Sequence, residues 1–324
     1  MVIGSGLGAQ LGFGEESTYG TAVTVDRFVE FNSESLKTEL SQVTSMGLGR
    51  GRFQRSGRQK TVIKGASGSV ELDLMTKGHG MLLKHCLGSY ANTSVAGSER
   101  KALITPDAAG LAGLSLTTQV GRPSVDGTSR PFTFEGGKVK SWELKSSVDD
   151  KVVLAMELDY ETVVTGTALA TASYASGAEI FVFSECAATL AGSSIALRGF
   201  SIKGDNGLDV GRRALGNTKK QPIAAGPATI TGSLDFEFEG LTRYGQLVAG
   251  TEVQNLILTF TTPTTIAGGG PALFKVTIPL LYFTGDSPAV GGPEIIREPM
   301  AFKAVDNGTD AVITFEQRTL DTAA

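Results

Sequence analysis

The chain is poor in the residues that usually carry chemistry. It has two histidines and two cysteines among 324 residues. Cys86 and Cys186 lie far apart and show no CxxC spacing, which excludes a disulfide framework and a thiolate metal site and favours a reducing compartment. Aromatic residues make up 7%, with a single tryptophan, too few for the exposed platforms on which sugars stack. No stretch approaches the ~20 apolar residues of a membrane helix. The opening "MVIGSGLGAQLGFG" lacks the basic start and continuous apolar run of a signal peptide, so the expectation is a soluble, cytoplasmic product. Charged residues are 19% of the chain and the net charge is −4, which excludes a disordered chain and a globally basic nucleic-acid binder.

Glycine is in excess, with 42 residues where about 7% is usual. Without a G-X-Y period, that excess means many turns between short strands. Apolar and polar residues alternate in "SVELDLM", "KVVLAMELDY" and "SLDFEFE", the pattern of strands with one wet side. Further strands are expected in "RFVEFNSESLKTEL", "GKVKSWELKSSV", "EIFVFSECAATL", "SIALRGFSIK", "QNLILTFTT", "LFKVTIPLLYF", "EPMAFKAV" and "DAVITFEQRT". Pro279 places its strand at an edge or a bulge. Helical signal is confined to "MTKGHGMLLKHCLG", ending near Gly88, and to "GLTRYGQLVAG", where Leu241, Tyr244 and Val248 share a face before Gly250.

An internal repeat organises the chain. "SGSVELDL" at 67–74 matches "TGSLDFEF" at 231–238, and "SLK" at 35–37 matches "SIK" at 201–203. Strand, basic Gly-rich loop, acidic alternating strand and short helix thus occur twice. The expected organisation is an N-terminal arm at 1–24, a first domain at 25–165, a linker at 166–175 and a second domain at 176–324. The fold class is all-β with minor helix: two tandem antiparallel β-sandwich domains, each with one short helix and a long basic loop.

Catalytic constellations are missing: no GxSxG, HExxH or Walker A pattern occurs. His79, His85 and Cys86 lack the further ligands of a closed metal site, and the reading preferred for them is a helix surface with a half-buried thiol. "GSGLGAQLGFG" imitates a phosphate loop without the preceding strand. Glu71 with Asp73, and Asp235 with Glu237, alternate on wet strand faces and read as solvated carboxylates rather than a glycosidase pair. No enzyme, cofactor or metal is expected.

The basic loops remain. "GLGRGRFQRSGRQK" carries Arg50, Arg52, Arg55, Arg58 and Lys60 around Phe53, which could neutralise phosphates and stack a base. Its counterpart "DVGRRALGNTKKQP" keeps Arg212, Arg213, Lys219 and Lys220 without an aromatic. Charge and loop length, not stacking, are therefore shared, which suits a clasp onto carboxylates of a neighbouring copy.

In "GAQLGFGEESTYGTAVTVDRFVEFNSESLK", "GGKVKSWELKSSVDDKVVLAMELD", "NGLDVGRRALGNTKKQPIAAGPATITGSLDFEFEG" and "GGPEIIREPMAFKAVDNGTDAVITFEQRT" the chain resembles the major tail tube proteins of long-tailed (siphovirus-type) bacteriophages, in a variant with a duplicated tube domain. The resemblance implies a virion tail component, assembled in the host bacterial cytoplasm, that stacks as rings into the conduit for DNA ejection. It implies self-association as pseudo-sixfold homotrimers, with a hexamer as the alternative. Other implied partners are the tape measure, tail terminator and baseplate or distal tail proteins, together with genomic DNA passing non-specifically. The basic loops, the N-terminal arm and the C-terminal segment would contact neighbours, and Glu71, Asp73, Asp235 and Glu237 would face the lumen. The other readings are a β-sandwich binding module for carbohydrate or adhesion and, third, a nucleic-acid-binding β protein.

Overall fold

The computed structural model describes residues 4–47, 56–107, 109–216 and 219–324. In chain order the strands are β1 (Gln10–Glu15), β2 (Arg27–Val29), β3 (Ser33–Glu34), β4 (Lys37–Thr44), β5 (Gln59–Asp73), β6 (Gly88–Ser94), β7 (Arg100–Pro106), β8 (Leu116–Pro123), β9 (Ser129–Ser147) and β10 (Val153–Tyr160). They continue with β11 (Thr162–Val164), β12 (Cys186–Leu190), β13 (Ser193–Ser194), β14 (Gly199–Asp205), β15 (Thr229–Glu237), β16 (Glu252–Thr265), β17 (Pro271–Thr284), β18 (Arg297–Ala304) and β19 (Thr314–Thr319). Helix α1 (Gly80–Leu87) follows β5 and α2 (Thr242–Ala249) follows β15. Gly88 and Gly250 end the two helices with positive φ, a conformation that costs a residue with a Cβ.

Period-2 alternation does what it predicts. Val70, Leu72 and Leu74 are buried on one face, as are Leu154, Met156, Leu158 and Tyr160, and Leu234 with Phe236. The protein is all-β, and its named strands pair antiparallel in one extended system.

The two halves use one pairing scheme. In the first, β1 lies between β2 and β8, β8 pairs β9, the start of β9 pairs β11 and its end pairs β10, and β10 pairs β5, which pairs β3 and β4. In the second, β12 lies between β13 and β16, β16 pairs β17, the start of β17 pairs β19 and its end pairs β18, and β18 pairs β15, which pairs β14. Registers correspond at equivalent positions between the bulges that the first half carries at Glu157/Leu158 and at Leu116/Thr118. Val70 faces Met156 where Leu234 faces Met300, and Phe134 lies between Thr118 and Val163 where Thr277 lies between Ile257 and Thr314. The main departure is the β6–β7 hairpin after α1, for which α2 has no counterpart; β7 pairs β19 of the other half.

A second link joins the halves: the end of β9 pairs β14 along Ser141–Ser147. The sheet β5-β10-β9-β14-β15-β18 is therefore continuous across them. Aromatic contacts tie it to the opposing layer, with Trp142 of β9 against Phe315 of β19 (5.3 Å between centroids) and Phe200 of β14 against Phe260 of β16 (5.8 Å). One hydrophobic cluster takes residues from both halves.

Four local expectations need correction. The stretch read as an arm contains β1, whose Leu11 and Phe13 are fully buried between β2 and β8, because two apolar residues on alternate positions are enough to seat a short strand. Pro279 lies in an interior strand; it falls in the interval where β19 has ended and β18 has not begun, opposite Asn255, which adopts φ +52° and skips its pair. His79, His85 and Cys86 are in the interior rather than on a helix surface, since β6, β7 and β9 close over α1. Leu241 and Val248, read as one face of α2, are 70% and 68% exposed. That helix is held by Arg243, which donates to Glu298 Oε2 at 2.6 Å and stacks over Phe236 at 4.3 Å.

Candidate interaction surfaces

The β9·β14 junction is where one half recognises the other. Glu143 faces Lys203 across it, with 3.3 Å between Nζ and Oε1, and Ser201 Oγ donates to the same carboxylate oxygen at 2.6 Å. Opposite Gly204 sits the Trp142 ring, at a distance a side chain would not tolerate: a Cβ on Gly204 would lie 2.3 Å from it.

The wet face of the continuous sheet is a mosaic of ion pairs. Glu71 meets Lys145 at 3.1 Å and Asp73 meets Lys151 at 2.8 Å; Asp235 meets Arg297 at 3.5 Å and Glu237 meets Arg198 at 2.9 Å. Lys140 with Glu157 at 3.2 Å, and Lys203 with Glu143, continue it. The four carboxylates singled out in the sequence lie on this face, each with a cation from elsewhere in the sheet: Lys145 of β9, Lys151 just before β10, Arg297 of β18 and Arg198 just before β14. Cross-strand pairing of this kind depends on register, which the linear sequence does not display.

The basic loops divide. Arg50, Arg52 and Arg55 lie outside the described residues. Arg58 donates to Ser45 Oγ at 3.4 Å and Lys60 sits on β5 opposite Val43, both on the exposed base of the first loop. In the second loop Arg212 donates to the Gln221 carbonyl at 3.1 Å, Arg213 to the Lys64 carbonyl, and exposed Lys220 bonds back to Arg212 through its backbone. Lys219, expected to reach a neighbouring copy, is instead engaged inside the chain. Its ammonium is buried, 2.6 Å from Asp159 Oδ1 and 2.8 Å from the Tyr160 carbonyl. The second loop thereby clasps the end of β10 in the first half. Burial pushes the Asp159 carboxyl up, against the pull of Lys219. The C-terminal residues are likewise bound within the chain, where Asp321 accepts from the Gly78 N–H at 2.7 Å and its carbonyl from Asn92 at 2.9 Å.

Two places in the pairing scheme lack, among the described residues, the strand partner that their counterparts have in the other half. Asn32–Glu39 pairs β5 on one side only. Past β17, Gly285–Gly291 forms no strand and borders an open groove with Ile295, Pro299 and Ala301. The first edge is capped: Glu34 Oε2 accepts from the Leu36 N–H at 2.9 Å, Arg122 Nη2 donates to the Leu36 carbonyl at 2.6 Å, and Arg122 and Glu34 form a two-pronged ion pair at 2.9 and 2.8 Å. Neither Glu34 nor Arg122 stands out in the sequence, because each acts through a tertiary contact. No cluster of metal-ligating side chains occurs among the described residues, and none of their helices is long and apolar enough to cross a membrane.

Comparison with known families gives one match. A family model described as a phage tail tube protein matches residues 6–304. A search of curated proteins returns no match.

Proposed function

The chain belongs to the phage tail tube protein family, and from that premise we propose that it closes as a homotrimer into pseudo-sixfold rings that stack into the conduit for DNA ejection. It is a structural virion protein of the tail. The observation that carries the ring is the pairing scheme used twice: one half joins the other through β9·β14, and the equivalent joining surfaces on the far sides are left unpaired among the described residues. A unit that repeats a heterologous contact closes a ring when the rotation returns to its start, and in a sixfold closure two such units per chain need three chains where a single unit per chain would need six. On this reading the chain carries two duplicated tube domains, the first extended from the expected 25–165 to take in β1 and the second at 176–324.

The wet face of the continuous sheet, with Glu71, Asp73, Asp235 and Glu237, lines the lumen. Its carboxylates are matched by cations, so passing phosphates find no uncompensated basic row to grip. Arg50, Arg52, Arg55, Arg58, Lys60, Arg212, Arg213 and Lys220 face neighbouring rings or chains. Assembly in the host cytoplasm with tape measure, terminator and distal tail proteins follows from the same reading.

The test is negative-stain electron microscopy of concentrated protein, averaging end-on views. Hollow rings or tubes with threefold or pseudo-sixfold symmetry support the proposal. True sixfold rings of six chains replace the trimer by the hexamer, and compact monomers at every concentration remove the tube assembly.

A further inference from the structure

The junction inside the chain specifies the junction between chains. The common register makes β14 the counterpart of Asn32–Glu39, since Ser201 faces Ser233 as Ser35 bonds Ser69. It makes the end of β9 the counterpart of Gly285–Gly291: Met156 faces Trp142, and continuing the β17·β18 ladder by one pair places Gly285 opposite Met300. β9 is a strand through Ser147 where β14 pairs it, whereas β17 stops at Thr284, beyond which no described strand takes the place of β14.

We propose that residues 285–291 add as a strand to the edge Asn32–Glu39 of a second copy of this chain, and that Glu34 and Arg122 cap that edge until they do. The inference rests on the tube reading. Transferring the β9·β14 register puts Lys37 opposite Asp286, the positions held inside the chain by the ion pair Lys203–Glu143. Lys37 and Asp286 are both exposed, and neither takes part in an ion pair among the described residues. The sign of the charges is the same on both sides of the correspondence. Pro288 falls opposite Ser35, at the place of Lys145 opposite Ser201. Across that junction the even-numbered residues exchange hydrogen bonds, as Val148 N–H to the Arg198 carbonyl and Asn206 N–H to the Lys140 carbonyl show. Lys145 is therefore a non-bonded position, and the missing N–H of Pro288 forfeits no bond to the neighbour.

The backbone groups on the receiving edge that point outward include those of Leu36, counterpart of Ile202, which faces Leu144. Glu34 takes the Leu36 N–H and Arg122 the carbonyl. The counterparts of these two side chains are Phe200 and Thr261, neither of which could form such a clamp. An uncapped edge recruits strands indiscriminately; a side-chain cap is displaced by a strand that offers better partners.

Cysteine trapping tests the register. Lys37→Cys with Asp286→Cys, in a Cys186→Ala background because the other thiol, Cys86, is buried, places two thiols in a non-hydrogen-bonded pair with Cα atoms ~4.5 Å apart, within disulfide reach. Oxidised assemblies should run on a denaturing gel as a ladder ending at the ring's copy number, and each single-cysteine variant as monomer. Rings that form without this cross-link, or that cross-link equally well through Lys37→Cys with Pro288→Cys, overturn the register and leave the tube reading intact. Absence of rings from the unsubstituted protein removes the tube reading and this inference with it. Arg122→Ala should shorten the assembly lag several-fold, and Arg122→Lys, which keeps the charge and loses the fork, should do so in part. An unchanged lag in both variants overturns the cap.

Discussion

Lys219 of the second loop is 2.6 Å from Asp159 at the end of β10, and both side chains are buried. This pair crosses from one half of the chain to the other, so it fixes how they are arranged. Among the described residues Asp159 Oδ2 has no hydrogen-bond partner, and Lys219 bonds besides Oδ1 only the Tyr160 carbonyl. Removing one member leaves a charge in a site already poor in hydrogen bonds. Lys219→Ala is therefore expected to cost about 3–5 kcal/mol, and the double variant Lys219→Ala with Asp159→Ala clearly less, because no orphan charge remains. Chemical denaturation of the four proteins of this cycle measures the difference. A double variant no better than the single would show that the contact contributes by packing alone.

Gly204 is the position at which β14 makes room for Trp142. A methyl group there would meet the indole at 2.3 Å, and a ring that shifted to admit it would disturb its edge contact with Phe315. Gly204→Ala should destabilise by about 1–3 kcal/mol, as overpacking does. Trp142 is the only tryptophan, so its fluorescence reads the junction directly: a shifted emission maximum is expected in the variant, and an unchanged spectrum with unchanged stability would place the ring's freedom elsewhere.

The parts of this arrangement that were legible in the sequence are those set by local period. Alternation in "SVELDLM", "KVVLAMELDY" and "SLDFEFE" identifies β5, β10 and β15 and the faces they bury, and glycine placement identifies the ends of both helices. A short strand such as β1 carries too little pattern to be told from an arm, since Leu11 and Phe13 are the only side chains its alternation buries. Partner choice was not legible at all. That β14 would pair β9, that Lys219 would turn inward, and that Arg122 would cap Leu36 are decided by contacts between residues far apart in the chain. Charge alone does not distinguish a lysine aimed at a neighbour from one aimed at its own chain.

Two histidines make stability fall with acidity. Burial pushes His85 down to about 3 and lowers His79 as well, in each case as the largest cause. The folded protein thus keeps both neutral while the unfolded chain protonates them near pH 6.5. Their contribution is complete above that value and is lost as the pH falls through it, by about 1.4 kcal/mol per histidine for each unit below 6.5 until the folded-state value is reached. Glu135 and Glu161, whose carboxyls burial raises, work in the opposite sense, favouring the folded state as they protonate at lower pH. Melting temperature measured from pH 7.5 to 5.5, above most of the carboxylate range, should fall steadily, and His85→Gln should flatten the slope. A melting temperature independent of pH in that interval would contradict the burial of these rings.

The exposed face of α2 is the remaining test of assembly. α1 and α2 occupy corresponding places after β5 and β15, yet seven residues of α1 are buried and none of α2 is. The difference traces to the β6–β7 hairpin, which covers α1, while α2 runs almost directly into β16. Leu241 and Val248 are consequently left in solvent in the single chain, and in a closed ring a neighbouring copy would supply the missing cover. Replacing both with glutamine removes no contact with the core cluster, so the stability of the monomer should change by no more than about 0.5 kcal/mol. The concentration needed for ring formation should rise instead, because apolar area that is buried only on assembly no longer favours it. Sedimentation of the assembled fraction across a concentration series, beside a melting curve of the monomer, separates the two effects. Equal assembly by the variant would leave α2 facing solvent in the tube.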